Sequence, residues 1–106
     1  MRRAVAAILF LASAVPAFGQ PPTIALAIRD HQFAPAELSV PAGVKVELAV
    51  RNEQAVPAEF ESTSLHREKL VTAGATISVF VGPLDAGTYE FFDDFHPATR
   101  GRLIVK

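Results

Sequence analysis

Short apolar segments with a two-residue period dominate the chain from residue 23 onwards. Val46, Leu48 and Val50 alternate with mostly polar neighbours, and residues 23–28 repeat the pattern. This period places successive side chains on opposite faces of a strand, so that one face meets the core and the other meets water. Extended segments are predicted at residues 23–28, 33–40, 45–52, 59–61, 77–81, 89–92 and 101–105.

Turns rich in glycine and proline separate these segments at intervals of roughly 8 to 12 residues, a spacing typical of sandwiches and barrels. Pro41-Ala42-Gly43 is one such turn, and residues 82–87 form another. Residues 62–70 are compatible with a loop, a helical turn or a short strand. The sequence therefore predicts an all-β sandwich or barrel with about seven strands.

The first residues have the features of an export signal. Arg2 and Arg3 precede an apolar run at residues 4–14, and small residues lead to Gly19. The run is shorter than the roughly 18 to 20 residues that span a bilayer, and the pattern is typical of a cleaved signal peptide. We expect residues 1–19 to be the signal peptide and residues 20–106 to form one domain.

The composition excludes several functions. The chain has no cysteine, which excludes disulfides and thiolate chemistry, and its only methionine is the initiator. Without Arg2 and Arg3, eight Lys and Arg residues face eleven Asp and Glu residues. No basic run could follow a phosphate backbone, so nucleic acid is not an expected partner. No arrangement of nucleophile and base suggests an enzyme.

Two parts of the chain resemble the opening and closing hairpins of cupredoxins. The first is Phe33-Ala34-Pro35 with the turn at residues 41–43, and the second is residues 87–91 with His96 and residues 101–105. Residues 57–62 and 67–69 are also similar to the small periplasmic cupredoxin-like domains of bacterial iron uptake, the EfeO-type group. The resemblance implies a Greek-key β-sandwich with any metal site near one end.

The copper ligands of that superfamily are only partly present. His96 matches the histidine ligand of the C-terminal pattern, but Asp93 stands at the cysteine position and Thr99 at the methionine position. The upstream histidine position falls on or beside Ala58. A blue-copper centre requires a thiolate ligand, so we do not expect an electron-transfer copper protein.

Oxygen ligands are the available replacement. Glu59 and Glu61 lie two residues apart and therefore share one face of a strand. The resemblance implies that the segment after Tyr89 approaches the same end of the sandwich. We therefore expect a metal site with the ligands Glu59, Glu61, Asp93 and His96, and with His31, Glu68 and Asp94 as secondary candidates. The alternatives are a solvated strand face for the glutamates, a backbone-capping turn for the aspartates and hydrogen-bonding surface histidines.

The resemblance also implies a role. We expect an exported, most simply periplasmic, metal-binding or metal-handling accessory protein linked to iron or copper uptake, with an iron or copper ion as its cofactor. Its implied partner is a membrane iron transporter or the periplasmic component of one. The alternative is a metal-free cupredoxin-fold module that contacts another envelope protein.

Overall fold

The computed structural model describes residues 19–106. The predicted signal peptide, residues 1–19, lies outside the described residues except for Gly19. Within the described range, no helix has the length and hydrophobicity needed to cross a bilayer.

Nine β-strands make up the described part of the chain, and they confirm the predicted all-β class. The strands are β1 (Thr23–Arg29), β2 (Gln32–Ala34), β3 (Glu37–Val40), β4 (Val46–Asn52), β5 (Ala58–Ser62), β6 (Arg67–Val71), β7 (Thr76–Val81), β8 (Gly87–Asp93) and β9 (His96–Val105). The count exceeds the expected seven for two reasons. Residues 33–40 contribute to two strands, and β6 lies in the segment that the sequence left open.

The strands form two sheets that pack as a sandwich. The four-stranded sheet has the order β2-β1-β4-β7, and the five-stranded sheet has the order β3-β9-β8-β5-β6. Strands β1 and β4 run parallel, as do β3 and β9, while the remaining neighbours are antiparallel. Strand β5 thus lies between β6 and β8, and this position decides what surrounds its two glutamates.

Four connections meet at one end of the sandwich, which we call the pole. They are the β1–β2 turn at residues 30–31, the β4–β5 loop at residues 53–57, the β6–β7 turn at residues 72–75 and the β8–β9 turn at residues 94–95. Backbone hydrogen bonds link these connections to the neighbouring strands, from Glu53 N to Ile28 O and from Asp94 N to Glu59 O, both at 2.9 Å. The pole therefore gathers residues from both sheets.

Three phenylalanines fill the core between the sheets below the pole. The rings of Phe60 and Phe91 stack with their centroids 5.3 Å apart, and Phe33 contacts Phe91 edge-on at 4.8 Å. A Cβ on Gly101 would lie 2.4 Å from the Phe91 ring, so only glycine allows this packing. Truncating a buried phenylalanine costs about 3–5 kcal/mol, which makes this cluster a main source of stability.

Candidate metal centre

The two glutamates of β5 lie on the outer face of the five-stranded sheet. Ala58, Phe60 and Ser62 are buried against the core, whereas Glu59 and Glu61 are only partly buried. This alternation is the consequence of the strand period. The structure therefore places the two carboxylates side by side on one face, as the sequence predicts.

Asp94 completes a group of three carboxylates. Its backbone N–H donates a hydrogen bond to the Glu59 carbonyl oxygen at 2.9 Å, which fixes the β8–β9 turn beside β5. Carboxylate oxygens of Glu59, Glu61 and Asp94 all lie within 4.8 Å of one another. We call this group the acidic triad. Glu68, on β6, is paired in register with Glu61 and adds a fourth negative charge nearby.

The basic residues next to the acidic triad do not neutralise it. Lys69 donates from Nζ to the Ser78 carbonyl oxygen at 2.8 Å, and Arg67 donates from Nε to the Phe80 carbonyl oxygen at 2.9 Å. Both therefore reach across to β7 in the other sheet. Among residues 19–106, the ion pairs involve other glutamates, and none includes a member of the triad.

The pKa values of Glu59 and Glu61 are both raised above the ordinary value. Partial burial raises the pKa of Glu59, and repulsion from Glu68 and from Asp94 raises it further. Partial burial and the charges of Asp94 and Glu68 also raise the pKa of Glu61. In addition, Oε1 of Glu61 is buried and has no hydrogen-bond partner within the described chain. The metal-free cluster is therefore electrostatically unfavourable.

A cation would remove this repulsion. Three carboxylates offer up to six oxygen donors, and such ligands suit hard cations such as Ca²⁺, Mn²⁺ and other oxygen-preferring ions. Without a sulfur or a nitrogen donor, the triad offers little to copper(I). The carboxylates are partly exposed, so an ion held by them would remain open to solvent.

Asp93 occupies a different environment from its neighbour Asp94. The side chain of Asp93 is buried, and its Oδ1 accepts hydrogen bonds from Glu59 N and Phe95 N, both at 3.0 Å. It therefore holds the turn in place and is not a member of the triad. The strand period contains the signal for this difference, because Phe91 is buried and Asp93 follows two residues later on the same face.

Two further positions that correspond to copper ligands, residues 58 and 99, are also buried. Ala58 has no exposed surface, and Thr99 donates from Oγ1 to the His31 carbonyl oxygen at 2.7 Å. The chain has no cysteine and no methionine after Met1, and the aspartate and threonine at the two ligand positions are engaged with the backbone. The residues present do not fit a blue-copper centre.

Asn52 is a further buried polar residue of the pole, and it was not among the predicted site residues. Its Nδ2 donates to the carbonyl oxygens of Val56 at 2.8 Å and Val71 at 3.0 Å, and its Oδ1 accepts from Gln54 N at 3.0 Å. The strand period provided a signal, since residue 52 continues the buried face of Val46, Leu48 and Val50.

The two histidines of the pole lie together. His31, in the β1–β2 turn, and His96, the first residue of β9, stack with ring centroids 3.9 Å apart and planes inclined by 21°. Both side chains are exposed. His96 thus contacts His31 and does not join the acidic triad, which contains only carboxylates.

Solved structures similar to this chain include several copper proteins. The metal-binding domain of the Cu(I)-exporting P-type ATPase CopA from Streptococcus pneumoniae aligns with a TM-score of 0.73 and 14% identity, over 79% of this chain and 84% of that chain. A Cu(I) form of an amicyanin variant aligns with a TM-score of 0.65 and 21% identity, over 79% of this chain and 82% of that one.

A third structure is a purple cupredoxin from Nitrosopumilus maritimus, with a TM-score of 0.60 and 18% identity over 80% of this chain and 99% of that chain. At such identities these similarities establish the fold and nothing finer. They confirm that the two-sheet sandwich is a cupredoxin fold.

One sequence relative matches about as much of this chain as the solved structures do. An uncharacterized protein of Rickettsia prowazekii (strain Madrid E) is 39% identical over 82 residues, which cover 77% of this chain. The match spans 66% of that relative's length, just under two thirds. The sequence profile described as "Cupredoxin-like domain" matches residues 2–105, almost the whole chain. The chain therefore belongs to the cupredoxin-like domain family, with no cysteine in its sequence.

Proposed function

We propose that this protein is an exported metal-binding accessory protein that holds an oxygen-preferring cation at the acidic triad. The observation that supports the proposal is the convergence of three carboxylates within 4.8 Å, with no basic side chain paired to them in the described chain. A bound cation would replace mutual repulsion by attraction, so binding and stability would be coupled. The protein would act as a carrier and not as an enzyme.

We propose that iron is the cation that the acidic triad binds in the cell. A trivalent ion matches the formal charge of Glu59, Glu61 and Asp94, and iron(III) is a hard ion that favours oxygen ligands. The partner in this proposal is a membrane iron transporter or its periplasmic component, as the resemblance to the EfeO-type group suggests. Two partly buried glutamates on an open sheet face would allow transfer to such a partner.

Thermal unfolding with added metal tests the binding. The protein is heated alone and with manganese(II), calcium(II) or iron(III) citrate, with citrate alone as the blank. A ligand at one hundred times its Kd stabilises the folded state by about 2.7 kcal/mol. For a domain of this size such a gain raises Tm by roughly 10 °C or more. We expect this rise with at least one of the ions.

Two double variants make the test specific. Glu59→Gln with Glu61→Gln keeps the size of both side chains and should abolish the rise in Tm. Glu37→Gln with Glu90→Gln removes two exposed, ion-paired carboxylates and should leave the rise unchanged. An equal rise in both double variants, or none in the unaltered protein, would contradict the proposal.

The alternative function is a metal-free module that contacts another envelope protein. Two exposed apolar side chains at the pole favour it, since Val56 is 47% and Phe95 is 51% exposed. Under this alternative no ion raises Tm, and Phe95→Ser weakens cross-linking to an envelope protein in intact cells. The metal-binding proposal predicts instead that Phe95→Ser leaves the metal-induced rise intact.

A further inference from the structure

Buried polar side chains hold the segments that bear the histidines of the pole. Residues 19–106 contain four buried polar side chains, namely Asn52, Ser62, Asp93 and Thr99. All except Ser62 lie at the pole. A buried polar group is costly unless it is hydrogen-bonded, so the bonds that these three side chains make define what is held there.

The backbone of His31 is held from two directions. Its N–H donates to Gln54 Oε1 at 2.8 Å, and its carbonyl oxygen accepts from Thr99 Oγ1 at 2.7 Å. Gln54 is itself oriented by Asn52 Oδ1, which accepts from its side-chain Nε2 at 3.2 Å. These bonds come from the β4–β5 loop, which Asn52 at the end of β4 anchors, and from β9 in the other sheet. The position of His31 is therefore fixed relative to both sheets.

The turn that presents His31 has a costly backbone conformation. Asp30 and His31 have φ values of 51° and 58°, in the left-handed region that glycine occupies most easily. For other residues this region costs roughly 1–2 kcal/mol each. The side-chain hydrogen bonds to both backbone groups of His31 offset part of this cost.

The position of His96 is fixed by Asp93. The Asp93 carboxylate accepts the N–H of Phe95, and Asp93 is the register partner of His96 across the β8–β9 turn. The two histidines thus come from separately anchored turns and meet with ring centroids 3.9 Å apart. These bonds hold the backbone from which each imidazole ring extends.

We propose that His31 and His96 form a second metal site, which binds a borderline divalent transition-metal ion through one nitrogen of each ring, with water as the remaining ligands. Imidazole suits copper(II), nickel(II) and zinc(II), and copper(II) is the most strongly bound of these. The site differs from a blue-copper centre because it has no sulfur ligand and uses His31 from the β1–β2 turn. It is also separate from the acidic triad.

Binding requires a local change in the rings. Nitrogen lone pairs lie in the ring planes, so two nearly parallel rings do not direct them at one ion. Metal–nitrogen bonds of about 2.0–2.1 Å place two ligating nitrogens roughly 3 Å apart. Both side chains are exposed, so the proposed site requires the rings to rotate about their side-chain bonds while the backbone stays anchored.

Copper(II) titration followed by electron paramagnetic resonance tests the site. We expect the protein to bind one copper(II) ion with two imidazole nitrogen ligands. His31→Asn, which tolerates the left-handed backbone, and His96→Gln should each weaken copper(II) binding by at least about tenfold. The control is His66→Asn, because His66 is exposed, has a φ of 56° and lies outside the pair.

Several outcomes of this titration would overturn the proposed histidine site. Retention of the wild-type affinity in His31→Asn, or a spectrum without imidazole nitrogens, would overturn it, as would a wild-type protein that binds no copper(II). The double variant Glu59→Gln with Glu61→Gln should leave the copper(II) spectrum unchanged. Loss of the copper(II) spectrum in this double variant would refute the assignment to the histidines. Unchanged unfolding curves for the metal-free histidine variants would show that the loss comes from the ligands and not from the fold.

Discussion

Asp93 and Asp94 are adjacent in sequence but lie in opposite environments. Asp93 is buried and accepts two backbone N–H groups, whereas Asp94 is exposed and faces Glu59 and Glu61. Hydrogen-bond donors satisfy the first carboxylate within the fold, and like charges surround the second. Neighbouring acidic residues at the pole can therefore be structural or ligand-like, depending on the face of the strand that each occupies.

The same contrast separates the buried polar side chains of the pole from the acidic triad as a whole. At the pole, Asn52 and Thr99 have hydrogen-bond partners on the backbone. In the triad, Glu61 retains a buried oxygen without a partner in the described chain, and burial and neighbouring charge raise its pKa. The buried polar side chains are therefore satisfied without an ion, and the triad would gain from one.

The largest effect is expected from removing the buried carboxylate. Asp93→Ala leaves the N–H groups of Glu59 and Phe95 without their acceptor, and an unsatisfied buried group costs about 1–3 kcal/mol. We expect a loss of about 2–4 kcal/mol in the free energy of unfolding, measured with urea. Asp94→Ala is the matched control and should not destabilise the metal-free protein. Equal losses in both variants would break the contrast.

A smaller loss is expected at Thr99. Thr99→Val keeps the shape of the side chain but removes the hydrogen bond to the His31 carbonyl oxygen. Such a bond contributes about 1 kcal/mol, so urea unfolding should report a loss near that size. Thr88→Val, at an exposed position of β8, serves as the control. A neutral Thr99→Val would mean that Gln54 alone suffices to hold the turn.

Removing charge from the triad should raise the free energy of unfolding, in contrast to the losses expected at Asp93 and Thr99. Glu59→Gln or Glu61→Gln relieves repulsion. Without metal, each variant should therefore be slightly more stable than the unaltered protein at neutral pH. Glu90→Gln removes an exposed carboxylate paired with Arg100 at 3.3 Å and should give no gain. Thermal unfolding in the presence of a chelator is the measurement. Destabilisation by both triad variants would show that the carboxylates stabilise the metal-free fold.

The pH dependence of this gain should be the smallest effect. The folded-state pKa of Glu59 and Glu61 lies above the ordinary value of 4.5, so the folded protein binds more protons than the unfolded chain just above that pH. As pH rises through the raised pKa values, the metal-free protein loses stability relative to Glu59→Gln with Glu61→Gln. Below pH 4.5 the difference should vanish.

Urea unfolding of both proteins across this pH range measures the difference. Bound metal should reverse the trend, because protons compete with the cation for the carboxylates. A difference that grows towards low pH in the metal-free protein would contradict the raised pKa values.

Much of the site was predictable from the strand period. The period gave the shared face of Glu59 and Glu61, because side chains two residues apart on a strand lie on one side. It could also have separated Asp93 from Asp94 if the β8 strand had been extended by one residue. Asn52 could have been assigned to the buried face in the same way.

Other contacts depend on residues far apart in the chain. The neighbourhood of Glu61 and Glu68 requires the pairing of β5 with β6, in a segment whose structure the sequence left open. The stacking of His31 on His96 joins turns from both sheets. No local sequence pattern predicts contacts between residues that lie so far apart in the chain.

The sequence by itself determined the all-β class, the inward face of most strands and the lack of a thiolate ligand, because these follow from local alternation and composition. Only the tertiary structure decided which carboxylates lie together, that the Arg67 and Lys69 side chains bond to β7 and not to the triad, and which histidines are in contact. The physical reason is that a two-residue period fixes the side of a strand on which a residue lies, while strand order and register fix its neighbours.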